Sequence, residues 1–486
     1  MKHSCLRISA VLSVIALQAN VSAQSFADKY NDFRNEARNR HQSFKDESNR
    51  KYIEFLKYAW DRYEGKAPMQ MPNDDTPVPP QPYKNNDSVK PVSIAPIIVN
   101  PLDDNPQPKP VEPVRETPLH DTPYFTTDFY GIECSVRLPE NARLKVNANS
   151  SDAISDGWKR LSGETMNNAI RDCLEIRIRH NLCDWAYLSF LDKLCHDFCS
   201  DTNGATLLTA FIYCRSGYQM RLAKDATKLY LLYSSRHQIY GKPYFVVDGI
   251  YFYPLNSTSS SINICNATFK GETPMSLYIG KEQLLGEQLT SKRKIKSGKY
   301  PSVIAESQIP QKLIDFFNRY PASAIDGNPM TRWAMYANTP LASSTKEILY
   351  PSLKEAIRDC DEATSANKLL DWVQTGFVYE YDDKVWGQDR AFFAEESLYY
   401  PYCDCEDRAI LFSRLVRDLL DLDVALVYYP GHLATAVKFN ESVGGDAMII
   451  GEEKFIVCDP TYIGAPVGAQ MPGLKHDKVQ AIVLER

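Results

Sequence analysis

Several things are missing from this chain, and each absence narrows the reading. Past the first 23 residues no apolar run reaches the ~20 residues that a membrane-spanning helix needs, so no membrane span is expected after removal of that segment. Basic residues are not in excess: Lys and Arg total 55 against 61 Asp and Glu, for a formal net charge of −6. With a pI near 5.9, this argues against nucleic acid as the main partner. No CxxC pair occurs, which removes the commonest cue for a structural zinc site. What is present is ordinary for a globular chain, with 44% hydrophobic residues. The length of 486 residues predicts two to four domains.

The start of the chain has the form of a secretory signal. Lys2, His3 and Arg7 precede an apolar stretch from Ile8 to Ala19, and Val21-Ser22-Ala23 is a small-residue cleavage site that would leave Gln24 first. No cysteine follows that site, as a lipid anchor would require, and Cys5 lies before the apolar stretch. The expectation is an exported bacterial protein, periplasmic or extracellular. Its mature form would carry 11 of the 12 cysteines, an odd number that leaves at least one free thiol. Cys403 with Cys458 would make a plausible bridge, and full reduction is equally compatible.

Residues 24–65 show helical periodicity in Phe26, Tyr30, Phe33 and Ala37 and again in Tyr52, Phe55, Leu56, Ala59, Trp60 and Tyr63, which predicts a helical arm docked on the body or offered to an envelope partner. Residues 66–123 hold 15 of the chain's 30 prolines and read as an extended, polyproline-biased linker. Residues 124–290 read as an α+β domain and 291–345 as a connector with a short helix from Ile309 to Tyr320. Trp333 and Tyr336 are expected to pack between domains. Residues 346–486 read as a second α+β domain.

The densest chemistry lies between Tyr402 and Pro460. Cys405 opens a segment whose apolar residues (Ala409, Ile410, Leu411, Leu415, Val416, Leu419) recur at helical spacing. Asp404 suits the N-cap and Asp407 the third position of a capping box. Such a helix start puts the sulfur over unsatisfied N–H groups, which favour an anion. Asp404, Glu406 and Asp407 oppose that effect, and their carboxylates are expected to turn away toward backbone or basic partners. Val424–Tyr429, Leu433–Phe439, Ala447–Ile450 and Lys454–Cys458 read as strands. His432 lies 27 residues after Cys405 and Asp459 another 27 further on. Sulfur, base and orienting carboxylate are the parts of a thiol nucleophile site.

The blocks DCEDRA (404–409), GH (431–432) and CDPT (458–461), preceded by 367–374 and 379–393, resemble the transglutaminase-like superfamily of papain-fold thiol enzymes over about the last 130 residues. The resemblance implies a helix bearing the cysteine packed on an antiparallel sheet, with Cys405 as nucleophile, His432 as base and Asp459 as orienting acid. It also implies an aromatic or glutamine residue on the oxyanion side, for which Trp386 and Gln388 are the candidates. Family members often carry glycine where Cys403 stands. A zinc site made of Cys403, Cys405, Cys458, His432 and Asp459 is the less favoured use of the same residues, so no metal and no cofactor are expected. The implied activity is acyl transfer from a peptide or isopeptide bond to water; transfer to an amine, or peptide binding without turnover, are the alternatives.

A shift of 204 residues lays Cys199–Leu208 on Cys403–Phe412, and later blocks follow. That suggests a degenerate copy of the same fold upstream, with Asp201 at the nucleophile position and Leu255 at the acid position. Chance likeness of two helix–strand units is the other reading. In a degenerate copy His237 would be structural.

Overall fold

The computed structural model describes residues 47–71, 77–85, 91–97, 122–146, 149–269, 271–476 and 478–485. Residues 1–46, which include the stretch expected to be a signal and the first half of the expected arm, lie outside them. The fold is α+β, built on two six-stranded sheets that share one continuous hydrophobic core.

The second sheet runs in the order Gln480–Val483, Asp423–Tyr429, His432–Lys438, Glu453–Cys458, Ala447–Ile450, Val92–Ile94. All its pairings are antiparallel except the last. The helix Cys405–Leu420 packs on one face, against the strands that begin at Asp423 and His432. It is buried from Cys405 to Arg417, because helices Pro329–Asn338 and Glu362–Gly376 cover its other sides.

The first sheet runs Asp61–Glu64, Ser261–Cys265, Met220–Lys224, Leu229–Ser234, Ile250–Pro254, Phe245–Val247, and is antiparallel throughout. Helix Thr202–Arg215 packs on it as Cys405–Leu420 packs on the second. Leaving aside the strand that each sheet recruits from the N-terminal region, the two sheets have the same strand order and connection. The first residues of the helix and three strands, 202, 220, 229 and 250, each precede 405, 423, 432 and 453 by 203. This corrects the register of the internal likeness by one residue. Asp201, which accepts from the Gly204 N–H, is the N-cap of its helix as Asp404 is of the other. The positions matching Cys405, His432 and Asp459 are therefore Thr202, Leu229 and Asn256. Asp201 and Leu255 are each one place off.

Other expectations are revised as well. The arm is helical through residues 47–58, with Tyr52 and Leu56 buried against the body, but Asp61–Glu64 is an edge strand of the first sheet. Of the proline-rich stretch, residues 66–71, 77–85, 91–97 and 122–123 are described, and these include short strands at Gln81–Pro82 and Val92–Ile94 laid against the body. The connector is not separate. Its helix Pro329–Asn338 packs on Cys405–Leu420, and its hairpin Arg293–Lys296/Ile304–Ser307 packs on helices Ser343–Ile357 and Glu362–Gly376. Trp333 meets Tyr428 at 5.5 Å and Tyr336 stacks on Phe393 at 4.0 Å, so both serve the C-terminal unit. The short helix is Gln311–Phe317.

Burial of acids makes this fold pH-sensitive. Glu395 is fully buried; its Oε1 accepts from Ala342 N while Oε2 has no partner. Burial pushes its carboxyl up to about 8 and that of the neighbouring Glu396, which pairs with Arg390, up to about 7. A carboxyl raised in the folded state binds more protons than in the unfolded chain. Its stabilisation is complete below the unfolded value and is lost as pH rises through the folded one. Thermal unfolding is therefore expected to shift to lower temperature between pH 5 and pH 8, and Glu395→Gln should flatten that slope. A slope unchanged in Glu395→Gln would remove Glu395 as its source.

Candidate active site

Asp459 follows the strand Glu453–Cys458, and His432 begins the neighbouring one. Asp459 Oδ2 lies 2.8 Å from His432 Nε2, and its Oδ1 accepts from Thr461 N and Tyr462 N at 2.9 and 3.2 Å. A carboxylate that accepts at both oxygens places the ring proton on Nε2, leaving Nδ1 as the free lone pair. His432 is 1% exposed and its Nδ1 has no hydrogen-bond partner.

Cys405 is the first residue of its helix. Cys405 is 7% exposed, and the backbone amide of Leu433, the residue after the histidine, is near enough to favour its thiolate. The sulfur's own contact is with Glu406 Oε2 at 3.2 Å. Thus the structure joins His432 to Asp459 and brings Cys405 to the same strand, but the thiol is bonded to Glu406 and not to the imidazole. Strand alternation accounts for this. Leu433 and Val437 belong to the core under the helix, Ala434 and Ala436 to the core on the far face. His432 pairs in register with Tyr429, a far-face residue whose ring centroid is 6.4 Å away.

The expectation that the nearby carboxylates turn away holds for Asp407, which accepts from Phe392 N and Asp404 N. It fails for Glu406 and for Asp404, whose ligand oxygens lie with the Cys405 sulfur within 4.8 Å of one another. With the first helical turn buried, the three acids at 404, 406 and 407 cannot all turn outward. Burial, aided by the like charge of Glu406 and Asp404, pushes the Cys405 thiol well above its ordinary range; the Leu433 N–H pulls the other way. Burial also raises the Asp404, Glu406 and Asp407 carboxyls. Glu406 further groups with Asp382 and Asp389, whose oxygens lie within 4.8 Å, and the buried Arg332 pairs with Asp389 at 2.8 Å. Among the described residues these are the groups that could hold a cation, and they include neither Cys403 nor Cys458 of the less favoured zinc set. Cys403 Sγ instead lies 3.4 Å from Arg408 Nε, and Cys458 Sγ contacts its own strand at Ile456 O. All 11 described cysteines are free thiols, so the Cys403–Cys458 bridge is absent.

No protein-family model and no curated protein matches the chain. The site is therefore read from its own geometry.

Of the two oxyanion-side candidates, Trp386 packs on Tyr400, Phe392 and the Arg390 guanidinium, and Gln388 is exposed. The aromatic group by the sulfur is Tyr379. Its strand pairs Tyr379 with Cys403, and its buried Oη has no hydrogen-bond partner. Burial raises its phenol, with Cys405, Asp404 and Glu406 adding to the rise. Two further residues escaped the sequence reading. Gln374 donates to Asp459 O and Ala465 O and accepts from Gly464 N, fixing the loop that carries the acid. Arg408, 1% exposed, donates to the carbonyls of Phe377, Gln374 and Pro460. Gln374 lies on a helical stripe that reads as ordinary surface. Arg408 sits inside the DCEDRA block, where a buried arginine has no periodicity of its own.

In the first unit, Leu229 and Asn256 stand in the places of His432 and Asp459. They line a small cleft of about 20 Å³ with Asp192, Thr206, Thr209 and Leu255, and its lining residues include no cysteine or histidine. Burial lowers His237 in that unit to about 3, in keeping with a structural role.

Proposed function

We propose that this chain is an exported thiol amidohydrolase with a papain-like, transglutaminase-like catalytic core in its C-terminal half. The observation that carries the reading is the buried His432–Asp459 pair with a free Nδ1, set on the strand against which the Cys405 helix packs. The reaction requires the His432 ring, which rests on the far face of the sheet, to reach the sulfur; the sulfur then leaves Glu406 and gives its proton to His432 Nδ1. It bonds to an amide carbonyl carbon, the C–N bond breaks, and His432 passes the proton to the departing amine. Water then cleaves the thioester and restores the thiol. The Leu433 N–H and the unpartnered Tyr379 Oη are the donors suited to the developing oxyanion. The shared strand order and the 203-residue offset support a duplicated core, with the first copy a non-catalytic scaffold. The same acyl-enzyme could pass to a primary amine.

A second reading, a peptide-binding envelope protein without turnover, is favoured by one observation. The thiol is bonded to a carboxylate and raised by its surroundings, where a resting thiolate would need the opposite. The two readings part on one experiment. Cys405→Ala should abolish peptide-amide cleavage or acylation without unfolding the protein. Asp459→Asn should leave about 10⁻²–10⁻⁴ of it, through lost histidine orientation, and Cys403→Ala should be milder. If mass spectrometry with activated extended-peptide acyl donors at saturating concentration finds no adduct on Cys405, the scaffold reading stands.

A further inference from the structure

The proline-rich stretch takes a path that the catalytic reading does not use. Lys66 bridges Tyr244, and Met69 O accepts from Gly241 N, both in the first unit. Met71 Sδ lies 3.0 Å from Arg332 Nη1, and Arg332 also holds Asp389 in the acid group around Glu406. On the other side of the site, Val78 N donates to Gly431 O at 2.8 Å, one residue before the candidate base. Gln81 and Pro82 then pair in parallel with Tyr462 and Ile463, three and four residues after the candidate acid. Tyr83 N donates to Ile463 O at 2.8 Å, and its ring meets that of Tyr462 edge-on at 5.5 Å. Lys84 uses both its N and its O on the Tyr462 hydroxyl, at 2.9 and 3.0 Å. Residues 78–84 thus touch the chain one residue before His432 and three to four residues after Asp459, and Met71 reaches the arginine that holds the acid group around Glu406.

We infer that the backbone edge formed by Gly431 and Tyr462–Ile463 is the docking groove for an extended peptide acyl donor, and that residues 77–85 are a built-in competitor for it. The inference rests on the thiol-enzyme reading above. Strand addition to an open edge is how extended peptides are commonly held: main-chain bonds supply affinity and side-chain pockets selectivity. The segment has the form of such a peptide but is a weak version of it. Pro77, Pro79, Pro80 and Pro82 keep it extended and remove four N–H donors. Pro77, Pro79, Pro82, Tyr83 and Lys84 remain exposed on its outer side. A peptide with its N–H groups intact would make more bonds to the same edge. What keeps the segment in place is its tether, which sets a high local concentration. The groove therefore favours extended peptides over folded protein surfaces, and the chain is latent until one displaces the segment.

Iodoacetamide labelling of Cys405 in the mature full-length chain, read by peptide mass spectrometry, tests this. Val78→Pro with Tyr83→Pro removes two of the segment's donors; Tyr462→Phe removes the hydroxyl that holds Lys84 while keeping the buried ring. Each variant should label Cys405 about fivefold faster or more than wild type. A synthetic peptide of residues 77–85 at millimolar concentration should return the rate toward wild type. Unchanged labelling in Tyr462→Phe, or in a folded proline variant, overturns the inference, as does a peptide without effect. Failure of the catalytic reading looks different: labelling would then be indifferent to His432→Ala in every background, opened or not.

Discussion

Arg408→Met is expected to cost about 3–5 kcal/mol of stability, the largest loss from any single side chain around the site. Arg408 is fully buried inside the helix Cys405–Leu420, and its guanidinium is the partner of three main-chain carbonyls. Two of these, Gln374 O and Phe377 O, lie at the end of one helix and just past it; Pro460 O belongs to the loop after the acid. Methionine fills much of the volume but leaves those acceptors in a dry interior without donors, and each orphaned acceptor costs about 1–3 kcal/mol. The same change frees Cys403 Sγ, now 3.4 Å from Arg408 Nε. Urea unfolding followed by tryptophan fluorescence should show the transition at markedly lower denaturant, Trp372 being buried in the affected helix. A midpoint within error of wild type would mean that the loop closes over the gap, and Arg408 would not be the tie between helix and acid loop.

Glu406→Gln should act in the opposite sense on reactivity. The carboxylate is the group bonded to the sulfur and the largest charge among the causes that raise the thiol. Removing that charge stabilises the thiolate, so the alkylation rate of Cys405 at pH 7 should rise about tenfold or more. Wild-type labelling should climb steadily with pH through 8 and beyond, because the folded thiol titrates above its ordinary range. In Glu406→Gln the climb should begin at lower pH. An identical pH profile in the two proteins would mean that burial alone holds the sulfur protonated, and that Glu406 has no part in its resting state.

Both predictions concern what lies around the motif rather than in it, and the same line divides what sequence and structure contribute. Local pattern sufficed for the helix at Cys405, because its apolar positions recur at helical spacing and Asp404 and Asp407 sit where a helix start takes acids. It sufficed for the strand that His432 opens, just past the Pro-Gly turn, and for the strand that Asp459 follows, which ends at an Asp-Pro step. The residues of the His432–Asp459 pair were legible for the same reason. Local pattern failed where partners are distant in sequence. Trp386 and Gln388 are polar or aromatic residues at a plausible spacing, but only the packing of Arg390, Phe392 and Tyr400 takes Trp386 away and leaves Tyr379 by the sulfur. The side to which Glu406 turns is set by the burial of the first helical turn. The face on which His432 lies is set by its register opposite Tyr429. The proline-rich stretch shows the division most clearly. Its composition determined that the described residues 77–85 are extended, since proline fixes φ and removes donors. Only the tertiary structure decided where they lie, because main-chain hydrogen bonds to Gly431 and Ile463 carry no signature in the side chains that make up a sequence.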